Sequence, residues 1–227
     1  MVNACKNSSV KNIIFSSSCS VYGNVKGSVN EKIKPNPQGY YALTKYKAEE
    51  IIKKFSKKYN YKYAILRYFN VAGASPSGKI GEIETSHGHL IKNIAIQSLK
   101  KKPIITIYGN DYKTKDKTAI RDFIHVSDLA EIHLKVLVKI SRLNRSIILN
   151  CGYNKKTSVL DVVNEFRKQV KKKFSIKFQK RRAGDMEMVI ANNLKLKKFI
   201  KWKPKYGSLK QIVKSCIKWE KKINKNY

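Results

Sequence analysis

NIIFSSS (residues 12–18), followed by YYALTKYKAEEIIKKFSKKY (residues 40–59), is the part of the sequence that decides the fold. The first segment is a short apolar run that ends in small polar residues, which predicts a buried strand that delivers serines to the carboxyl edge of a sheet. The second segment follows Pro37 and places apolar residues between charges, which predicts an amphipathic helix. Its apolar positions include Leu43, Ile51, Ile52 and Phe55.

The rest of the chain continues this alternation of strands and helices. Further strands are predicted in YKYAILRYFNVAGA (61–74), whose NVAGASPSG tail (70–78) reads as a loop, in PIITIYG (103–109) and in SIILNCG (146–152). Further helices are predicted over 87–101, within RDFIHVSDLAEIHLKVLVKI (121–140), in TSVLDVVNEFRKQVKK (157–172) and in SLKQIVKSCIKWEKKI (208–223). The expected N-caps of the last three are Ser127 or Asp128, Thr157 or Ser158, and Ser208. This order predicts an α/β fold with a parallel sheet.

Composition limits the class of protein. The 227 residues are 42% hydrophobic, enough for the core of one large domain or two small ones. The net charge of +34 comes from 42 Lys and only 7 Arg spread along the chain, so we interpret it as solvated lysine-rich faces rather than a nucleic-acid-binding surface.

The cysteines and the apolar runs predict the cellular compartment. Cys5, Cys19, Cys151 and Cys216 show no CxxC spacing, which predicts the reducing cytoplasm and argues against a disulfide framework or a zinc site. The N-terminal residues MVNACKNSSVKN do not read as a signal peptide, and no run reaches the ~18 apolar residues of a membrane span.

An acid–base pair is predicted at the start of the 40–59 helix. Tyr41 and Lys45 are four residues apart and therefore project from one helix face. An ammonium group beside a phenol stabilises the phenolate, which makes a tyrosine usable as a general base. Ser18 ends the preceding strand, at the edge where open α/β sheets bind ligands, and can hydrogen-bond the same substrate hydroxyl. Taken singly, the pair also fits chance spacing in a lysine-rich helix, and the serines fit a strand-end cap.

A string of motifs in a fixed order carries a resemblance to a known family. The motifs are FSSSCSVYG (15–23), YYALTK (40–45), LRYFNVAGASPSGKIGE (66–82), IYGNDYKTKDKTAIRDFIHVSDLAEIH (107–133), LNCGYNKKTSVLDVV (149–163) and KRRAGD (180–185). Together they resemble the extended short-chain dehydrogenase/reductase family and, within it, the UDP-glucose 4-epimerases. The resemblance covers nearly the whole chain, and the 107–133 block is its most specific part.

The resemblance implies a reaction and its catalytic residues. The reaction interconverts UDP-glucose and UDP-galactose at sugar C4, through a 4-keto sugar and a bound NAD that takes up hydride and returns it to the other face. Ser18, Tyr41 and Lys45 match the family's catalytic residues, and Tyr41 rather than Tyr40 keeps the required gap to Lys45. Tyr41 would take the proton from the sugar 4-hydroxyl. For the cofactor, Lys45 would hydrogen-bond the nicotinamide ribose and Phe69 would lie beside the nicotinamide.

The resemblance also implies the residues that bind the UDP-hexose. These are Ser18, Asn70, His89, Leu90, Thr106, Ile107, Tyr108, Arg121, Arg182 and Asp185. Asn70 and the 89–90 pair match the family's contacts with the diphosphate, and 106–108 match the strand that lines the uracil pocket. The two arginines match a diphosphate clamp, a role suited to the forked guanidinium, and Asp185 matches the acid that binds the uridine ribose. An ion pair of Arg121 with Asp122 or Asp128 is the structural alternative, and Arg182 as one more surface cation is another.

Two further residues have predictions of their own. His125 is interpreted as a packed, hydrogen-bonded histidine rather than a catalytic one. Val189 matches a variable position near the sugar's 2-position, where a small apolar side chain predicts room for an N-acetylated sugar.

The sequence departs from the family at the cofactor's pyrophosphate. The family opens with a strand, a G-x-x-G-x-x-G turn and a helix that hold this group, whereas Gly73, Gly78 and Gly81 do not follow that pattern. We therefore expect an N-terminally truncated chain: an α/β protein with a partial NAD-binding Rossmann fold, its first half missing, and a small α/β substrate-binding domain. The predicted Rossmann part is 1–72 with 119–150, and the predicted nucleotide-sugar-binding domain is 73–118 with 151–227.

A missing half leads to expectations about activity and partners. NAD binding is expected to be weak, and the strand at 11–17 is expected to be an exposed sheet edge. We expect impaired or no activity of the chain alone, and either a complementing N-terminal fragment or a homodimer, with no membrane or nucleic-acid partner. The alternatives are a UDP-GlcNAc 4-epimerase, a related epimerase or dehydratase, and a non-catalytic basic module that binds UDP or nucleic acid. Cys19, next to the catalytic serine in place of an acidic residue, argues against a dehydratase.

Overall fold

The computed structural model describes residues 2–6, 8–83, 89–182 and 184–224, and within them strands and helices alternate as the sequence predicts. The strands are β1 Asn12–Ser18, β2 Gly27–Val29, β3 Lys62–Tyr68, β4 Asn70–Ala72, β5 Ile104–Tyr108, β6 Ile120–Arg121, β7 Phe123–His125, β8 Ile147–Cys151, β9 Thr157–Ser158, β10 Ser175–Gln179 and β11 Met188–Ala191. The helices are α1 Val2–Lys6, α2 Gly39–Tyr59, α3 Leu90–Leu99, α4 Val126–Leu143, α5 Val159–Val170, α6 Leu194–Ile200 and α7 Leu209–Ile223. A 3₁₀ turn, Cys19–Tyr22, follows β1. The predicted α/β class is confirmed.

A three-stranded parallel sheet in the order β1-β3-β8 lies beside the candidate site. Ala64, Ile65 and Leu66 in the central strand β3 are fully buried, as expected for a parallel sheet with covered faces. The strands end at the same edge, because Ser18 pairs with Tyr68 and Tyr68 pairs with Cys151. Within the described ranges β1 pairs with β3 alone, so it is an edge strand, as predicted for residues 11–17.

The other strands form three further sheets, which are the parallel pairs β4-β7 and β5-β10 and a four-stranded sheet in the order β2-β11-β6-β9. The predicted loop over 70–78 is wrong for its first three residues, which form β4. Their backbone finds a partner about fifty residues away, since Asn70 N–H donates to the Asp122 carbonyl at 3.0 Å and β4 pairs with β7. Local composition carries no signal for such a long-range pairing.

The N-terminal ends of the helices can be compared with the N-cap residues predicted from the sequence. Ser158 and Ser208 both form capping boxes, so these two predictions are confirmed. The prediction of Ser127 or Asp128 as the cap of α4 is wrong, because His125 takes this position and its Nδ1 accepts from the Ser127 N–H at 3.1 Å. The helix predicted over 87–101 begins at Leu90, and residues 87 and 88 lie outside the described residues. Among the helices described, none is both long enough and apolar enough to cross a membrane.

The largest hydrophobic core joins helices α3, α4, α5 and α7 to the sheets. Ile94, Val136, Phe166 and Val213, one from each of these helices, are at most 1% exposed. Burying a side chain of this size stabilises the fold by about 1.5–3 kcal/mol. Of these helices, α3 and the first residue of α5 border the candidate site, so this core fixes their position. The division into 1–72 with 119–150 and 73–118 with 151–227 stays a prediction.

Candidate active site

One cavity of about 860 Å³ opens at the carboxyl ends of β1 and β3. Its size is typical of a site for a ligand as large as a nucleotide sugar. Every residue predicted to bind substrate or cofactor, apart from Lys45, borders it. These residues are Ser18, Tyr41, Phe69, Asn70, His89, Leu90, Thr106, Ile107, Tyr108, Arg121, Arg182 and Asp185. Segments that lie far apart in the sequence thus meet at one place.

The predicted acid–base pair lies at the mouth of this cavity. Tyr41 is in the first turn of α2 and is 61% exposed, so its phenol is accessible. The Lys45 ammonium lies 5.7 Å from the centre of the Tyr41 ring and donates to the Ser16 carbonyl at 2.9 Å. The carbonyl at the end of β1 therefore holds the lysine beside the tyrosine. The expectation that the two side chains share one helix face is confirmed.

Ser18 lies between the strand and the 3₁₀ turn that follows it. Its Oγ accepts from the Ser20 N–H at 3.2 Å and caps this turn. Accepting that bond leaves the serine O–H free to donate to a ligand. The strand-end cap and the ligand contact are thus compatible with each other.

One side of the cavity carries charged and aromatic groups. The Arg121 guanidinium donates to the Asp185 carboxylate and to the Ile120 carbonyl, the latter at 2.9 Å. The Tyr112 hydroxyl donates to the same carboxylate at 3.2 Å. Burial, together with this acid, raises the pKa of Tyr112. The Arg182 guanidinium lies 4.0 Å from the centre of the Tyr108 ring, and both residues border the cavity.

The alternative partners of Arg121 are already engaged. Asp122 is buried and accepts from the backbone N–H groups of Tyr153, Asn154 and Ala191 at 2.8–3.1 Å. Asp128 accepts from the Tyr153 hydroxyl and from two backbone N–H groups at residues 205 and 206. Both acids hold the backbone together, so the pairing of Arg121 with Asp122 or Asp128 is wrong and Asp185 takes their place.

Helix α3 and its N-cap His89 contribute the predicted His89 and Leu90 and two residues that the sequence reasoning missed. Asn93 and Gln97 also border the cavity. With His89 they are spaced four residues apart and therefore lie on one helix face. Polar side chains at this spacing, in the otherwise apolar run LIKNIAIQSL, are the signal that could have identified them.

Two further lining residues, Tyr68 and Cys19, were also missed. The Tyr68 hydroxyl contacts Ser16 Oγ at 2.6 Å and His133 Nε2 at 2.5 Å. Burial raises the pKa of Tyr68 and that of the Cys19 thiol to about 12, so both remain protonated at neutral pH. Neither group is therefore a base or a nucleophile in this cavity.

His125 and Val189 lie outside the cavity. His125 is fully buried, its Nε2 is 3.1 Å from Ser215 Oγ, and its ring stacks on Tyr206 at 4.7 Å. This agrees with its interpretation as a packed histidine. Val189 is 3% exposed and pairs with Arg121 in the four-stranded sheet, and it is not among the residues that border the cavity.

NAD, the cofactor that the resemblance implies, is fitted by these residues at one end only. Tyr41, Phe69 and Ser18 offer an aromatic wall and hydroxyl groups at the carboxyl edge of the sheet, which suits a nicotinamide and its ribose. A G-x-x-G-x-x-G turn for the pyrophosphate does not occur in the 227-residue sequence. The residues present therefore fit the nicotinamide end and not the pyrophosphate.

Comparisons with known proteins agree with this geometry. The NAD dependent epimerase/dehydratase family matches residues 1–152. UDP-glucose 4-epimerase of Azospirillum brasilense is 34% identical over 227 residues, which are 100% of this chain and 65% of that protein. The crystal structure of UDP-glucose-4-epimerase from Stenotrophomonas maltophila with bound NAD and formylated UDP-arabinopyranose matches with a TM-score of 0.93 at 28% identity, over 100% of this chain and 68% of that one.

A third relative is the UDP-Glc/GlcNAc 4-epimerase from Campylobacter jejuni, with a TM-score of 0.80 at 36% identity over 97% of this chain and 68% of that one. The chain thus spans about two thirds of the length of the relatives it matches. The matched motifs, the shared fold and the cavity that gathers their residues show that the chain belongs to the NAD dependent epimerase/dehydratase family.

Proposed function

We propose that this chain supplies the substrate-binding and proton-transfer part of a 4-epimerase that acts on UDP-glucose and UDP-galactose. The observation that supports this most directly is the convergence of Ser18, Tyr41, Arg121, Arg182 and Asp185 on one cavity of about 860 Å³. These residues combine a hydroxyl, a phenol, two guanidinium groups and a carboxylate, which are the groups that a sugar linked to a nucleoside diphosphate requires. The relatives named UDP-glucose 4-epimerase support the same reaction.

The phenol of Tyr41 is the proposed proton acceptor for the sugar 4-hydroxyl. It is exposed to the cavity, and the Lys45 ammonium places positive charge 5.7 Å from its ring centre. Ser18 lies on the same cavity wall and is proposed to donate to the sugar oxygen from which the proton leaves. NAD, when bound, supplies the oxidation and reduction at sugar C4. Lys45 and Phe69 are the residues of this chain proposed to hold its nicotinamide end.

The nucleotide is proposed to replace an ion pair within the site. In the structure Arg121 binds Asp185, and the two side chains are 15% and 28% exposed. A diphosphate offers oxygen acceptors to Arg121 and Arg182, and ribose hydroxyls offer donors to Asp185. Each group of the pair therefore finds a partner on the ligand. Thr106, Ile107 and Tyr108 on β5 are proposed to form the uracil side, with Asn70, His89 and Leu90 near the diphosphate.

We propose a second polypeptide segment as the partner that completes the NAD site. The support is the edge strand β1, whose outer backbone groups have no strand partner within the described ranges, and the absence of a glycine-rich turn from the sequence. An edge of this kind accepts a further strand by backbone hydrogen bonding. A homodimer is the alternative arrangement. Sedimentation of the chain, alone and with an added segment, distinguishes the two.

We also propose a cytoplasmic location. All four cysteines are free thiols, and Cys151 and Cys216 are buried. Unpaired thiols of this kind are typical of a reducing compartment. Fractionation of cells that express the chain tests this proposal.

Two experiments test the proposed function. The first is calorimetric titration of the full chain with UDP, for which we expect saturable binding at physiological salt. The second is an epimerase assay with UDP-galactose and NAD in which the chain is mixed with the first third of the Azospirillum brasilense relative, and we expect turnover only in the mixture. UDP-GlcNAc in the same assay tests the alternative substrate. Absence of UDP binding together with salt-sensitive RNA binding would instead support a basic binding module.

A further inference from the structure

The segment between β4 and α3 connects two parts of the candidate site. Asn70, in β4, borders the cavity on one side of it, and His89 and Leu90 border the cavity on the other. The structure describes this segment from Gly73 to Ile83, and it lies against the C-terminal helix α7 rather than against the cavity. The position of the residues that border the cavity therefore depends on what holds the segment.

Helix α7 contacts the segment at three places. Ser215 Oγ accepts from the Ala74 N–H at 3.1 Å, and the Lys218 ammonium donates to the Pro76 carbonyl at 2.8 Å. Trp219 Nε1–H donates to the Glu82 carbonyl at 2.9 Å. Lys218 and Trp219 follow Ser215 by three and four positions, so both lie on the same side of the helix as Ser215. One face of α7 thus follows the segment along its described length.

The indole of Trp219 also packs directly on the backbone of the segment. A Cβ atom at Gly81 would lie 2.5 Å from the Trp219 ring, closer than side chains pack. Glycine at this position is therefore required for the contact. The chain comes near enough for the neighbouring Glu82 carbonyl to reach the indole N–H.

A buried ion pair meets the same carbonyl oxygen. The Lys92 ammonium, in the first turn of α3, donates to the Glu82 carbonyl at 2.6 Å and to the Glu220 carboxylate at 2.6 Å. The Lys92 and Glu220 side chains are only 4% and 1% exposed. A cation in the first turn of a helix is unfavourable beside the positive end of the helix dipole, and Glu220 offsets this charge. Lys92 and Trp219 therefore hold one backbone oxygen from two sides.

Glu82 passes this constraint on to the cavity. Its carboxylate contacts His89 Nδ1 at 3.0 Å, and the imidazole is otherwise exposed to solvent. The backbone of Glu82 is thus fixed by α3 and α7, while its side chain contacts a residue that borders the cavity. We refer to Lys92, Trp219 and Glu220 together with the Glu82 carbonyl as the Glu82 clamp.

We propose that the Glu82 clamp positions His89 for binding the diphosphate of the nucleotide sugar, which makes Lys92, Trp219 and Glu220 positioning residues outside the cavity. The proposal rests on the proposed function for its ligand. A purely stabilising role of the buried pair is the alternative, and it makes a different prediction: replacing the pair with apolar residues of similar size restores stability, and ligand binding with it.

The test uses the full chain in two variants. The double variant K92M/E220L removes both charges and the lysine bond to Glu82, and keeps apolar volume. Trp219→Phe keeps a ring against Gly81 but removes the N–H donor, and it serves if the double variant does not fold. Lys135→Met, which removes the exposed pair with Glu131, is the matched control. Thermal unfolding is measured for each variant.

Two readouts separate the inference from the proposed function. The imidazole NMR signals of His89, assigned with His89→Asn, are expected to shift in both clamp variants and not in Lys135→Met. In titrations, both variants are expected to weaken UDP binding about tenfold, the equivalent of one lost hydrogen bond, and to leave uridine binding unchanged.

Unshifted His89 signals in folded clamp variants would overturn the inference, and so would UDP binding as tight as in the unmodified chain. A chain that binds no UDP at all would contradict the proposed function. The His89 signals would then still decide whether the clamp positions this side chain.

Discussion

Glu49 of α2 and Arg67 of β3 form a buried bidentate ion pair, in which the carboxylate accepts from Nε at 2.9 Å and from Nη2 at 2.6 Å. The two side chains are 0% and 2% exposed. The same carboxylate accepts from the Ser17 hydroxyl at 2.6 Å, so it joins α2 to both β1 and β3. Burial alone would lower the pKa of Arg67, but its hydrogen bonds to Glu49 raise the pKa above the ordinary value. Glu49 follows Lys45 by one helical turn, so this pair fixes the helix that carries Tyr41.

Breaking the Glu49–Arg67 pair is predicted to destabilise the protein strongly. Glu49→Gln leaves the guanidinium buried without a counter-charge, so we expect the free energy of unfolding to fall by about 3–5 kcal/mol. The double variant E49L/R67M removes both charges and is expected to recover most of that loss. Urea denaturation followed by circular dichroism measures both. A loss below about 1 kcal/mol in Glu49→Gln would show that the pair does not fasten α2.

Removing the hydroxyl group of Tyr41 is predicted to reduce turnover without affecting folding. Tyr41 is 61% exposed, so Tyr41→Phe should leave the thermal midpoint within about 1 °C and UDP affinity within about twofold. In the two-segment epimerase assay we expect kcat to fall by about 10²–10⁴, the usual contribution of a general base.

Tyr40→Phe is the matched control, because its neighbouring phenol is 91% exposed and does not border the cavity. Its turnover should equal that of the unmodified chain. Equal losses in the two variants would contradict the assignment of the base to Tyr41.

Two adjacent arginines are predicted to differ in their effect on UDP binding. Arg182 borders the cavity, whereas Arg181 pairs with Asp111 at 2.7 Å and lies outside it. Arg182→Lys replaces a planar fork with a point charge of the same sign, so we expect UDP affinity to fall about tenfold. Arg181→Lys should leave it unchanged. Calorimetric titration at fixed salt measures both, and a similar loss in both would indicate a non-specific charge effect instead.

The carboxyl of Asp122 is predicted to titrate near pH 6. Burial raises its pKa from 3.8 to about 6, against the lowering effect of the backbone N–H groups that it accepts from. Because the pKa is higher in the folded state, the contribution of Asp122 to stability is present at low pH and is lost as the pH rises through about 6. The change is about 3 kcal/mol at 1.4 kcal/mol per pKa unit.

Carboxyl ¹³C NMR, with the signal assigned by Asp122→Asn, checks this prediction directly. The pKa values of Asp116 and Glu131 are lowered, so their contributions to stability grow as the pH rises, at pH values below those where Asp122 titrates. The two effects are therefore separable. A midpoint at or below pH 3.8 for Asp122 would contradict the predicted direction.

Local sequence signals predicted the elements that depend on local physics. The extent of α2 and the serine caps of α5 and α7 are set within a few residues, and the structure has them where the sequence predicts. The apolar face predicted for α2 is confirmed only in part, because Ile52 and Phe55 are buried whereas Leu43 and Ile51 are 38% and 53% exposed. The cap of α4 differs, because His125 is held by Ser215 and Tyr206, which lie far along the chain. β4 differs for the same reason, since its partner β7 is remote in sequence.

In the candidate site too, some features follow from the local sequence and others depend on contacts between distant segments. Motif order was enough to name twelve of the residues that border the cavity, but not how they contact each other. The pairing of Arg121 with Asp185 needs the fold, because the nearer acids Asp122 and Asp128 are occupied by backbone N–H groups. Asn93 and Gln97 were detectable from their spacing on α3, whereas the Glu82 clamp joins three segments that no local pattern connects.

The edge strand β1 has a consequence for how the molecule behaves at high concentration. Its outer row of backbone N–H and C=O groups is a template on which a second copy can assemble in error, the first step towards aggregation. The net charge of +34 opposes such an encounter by mutual repulsion, and salt at 0.1 M screens that repulsion at separations beyond about 10 Å. The lysines therefore oppose edge-to-edge aggregation at β1. The chain should stay monomeric and soluble longest in dilute, low-salt buffer.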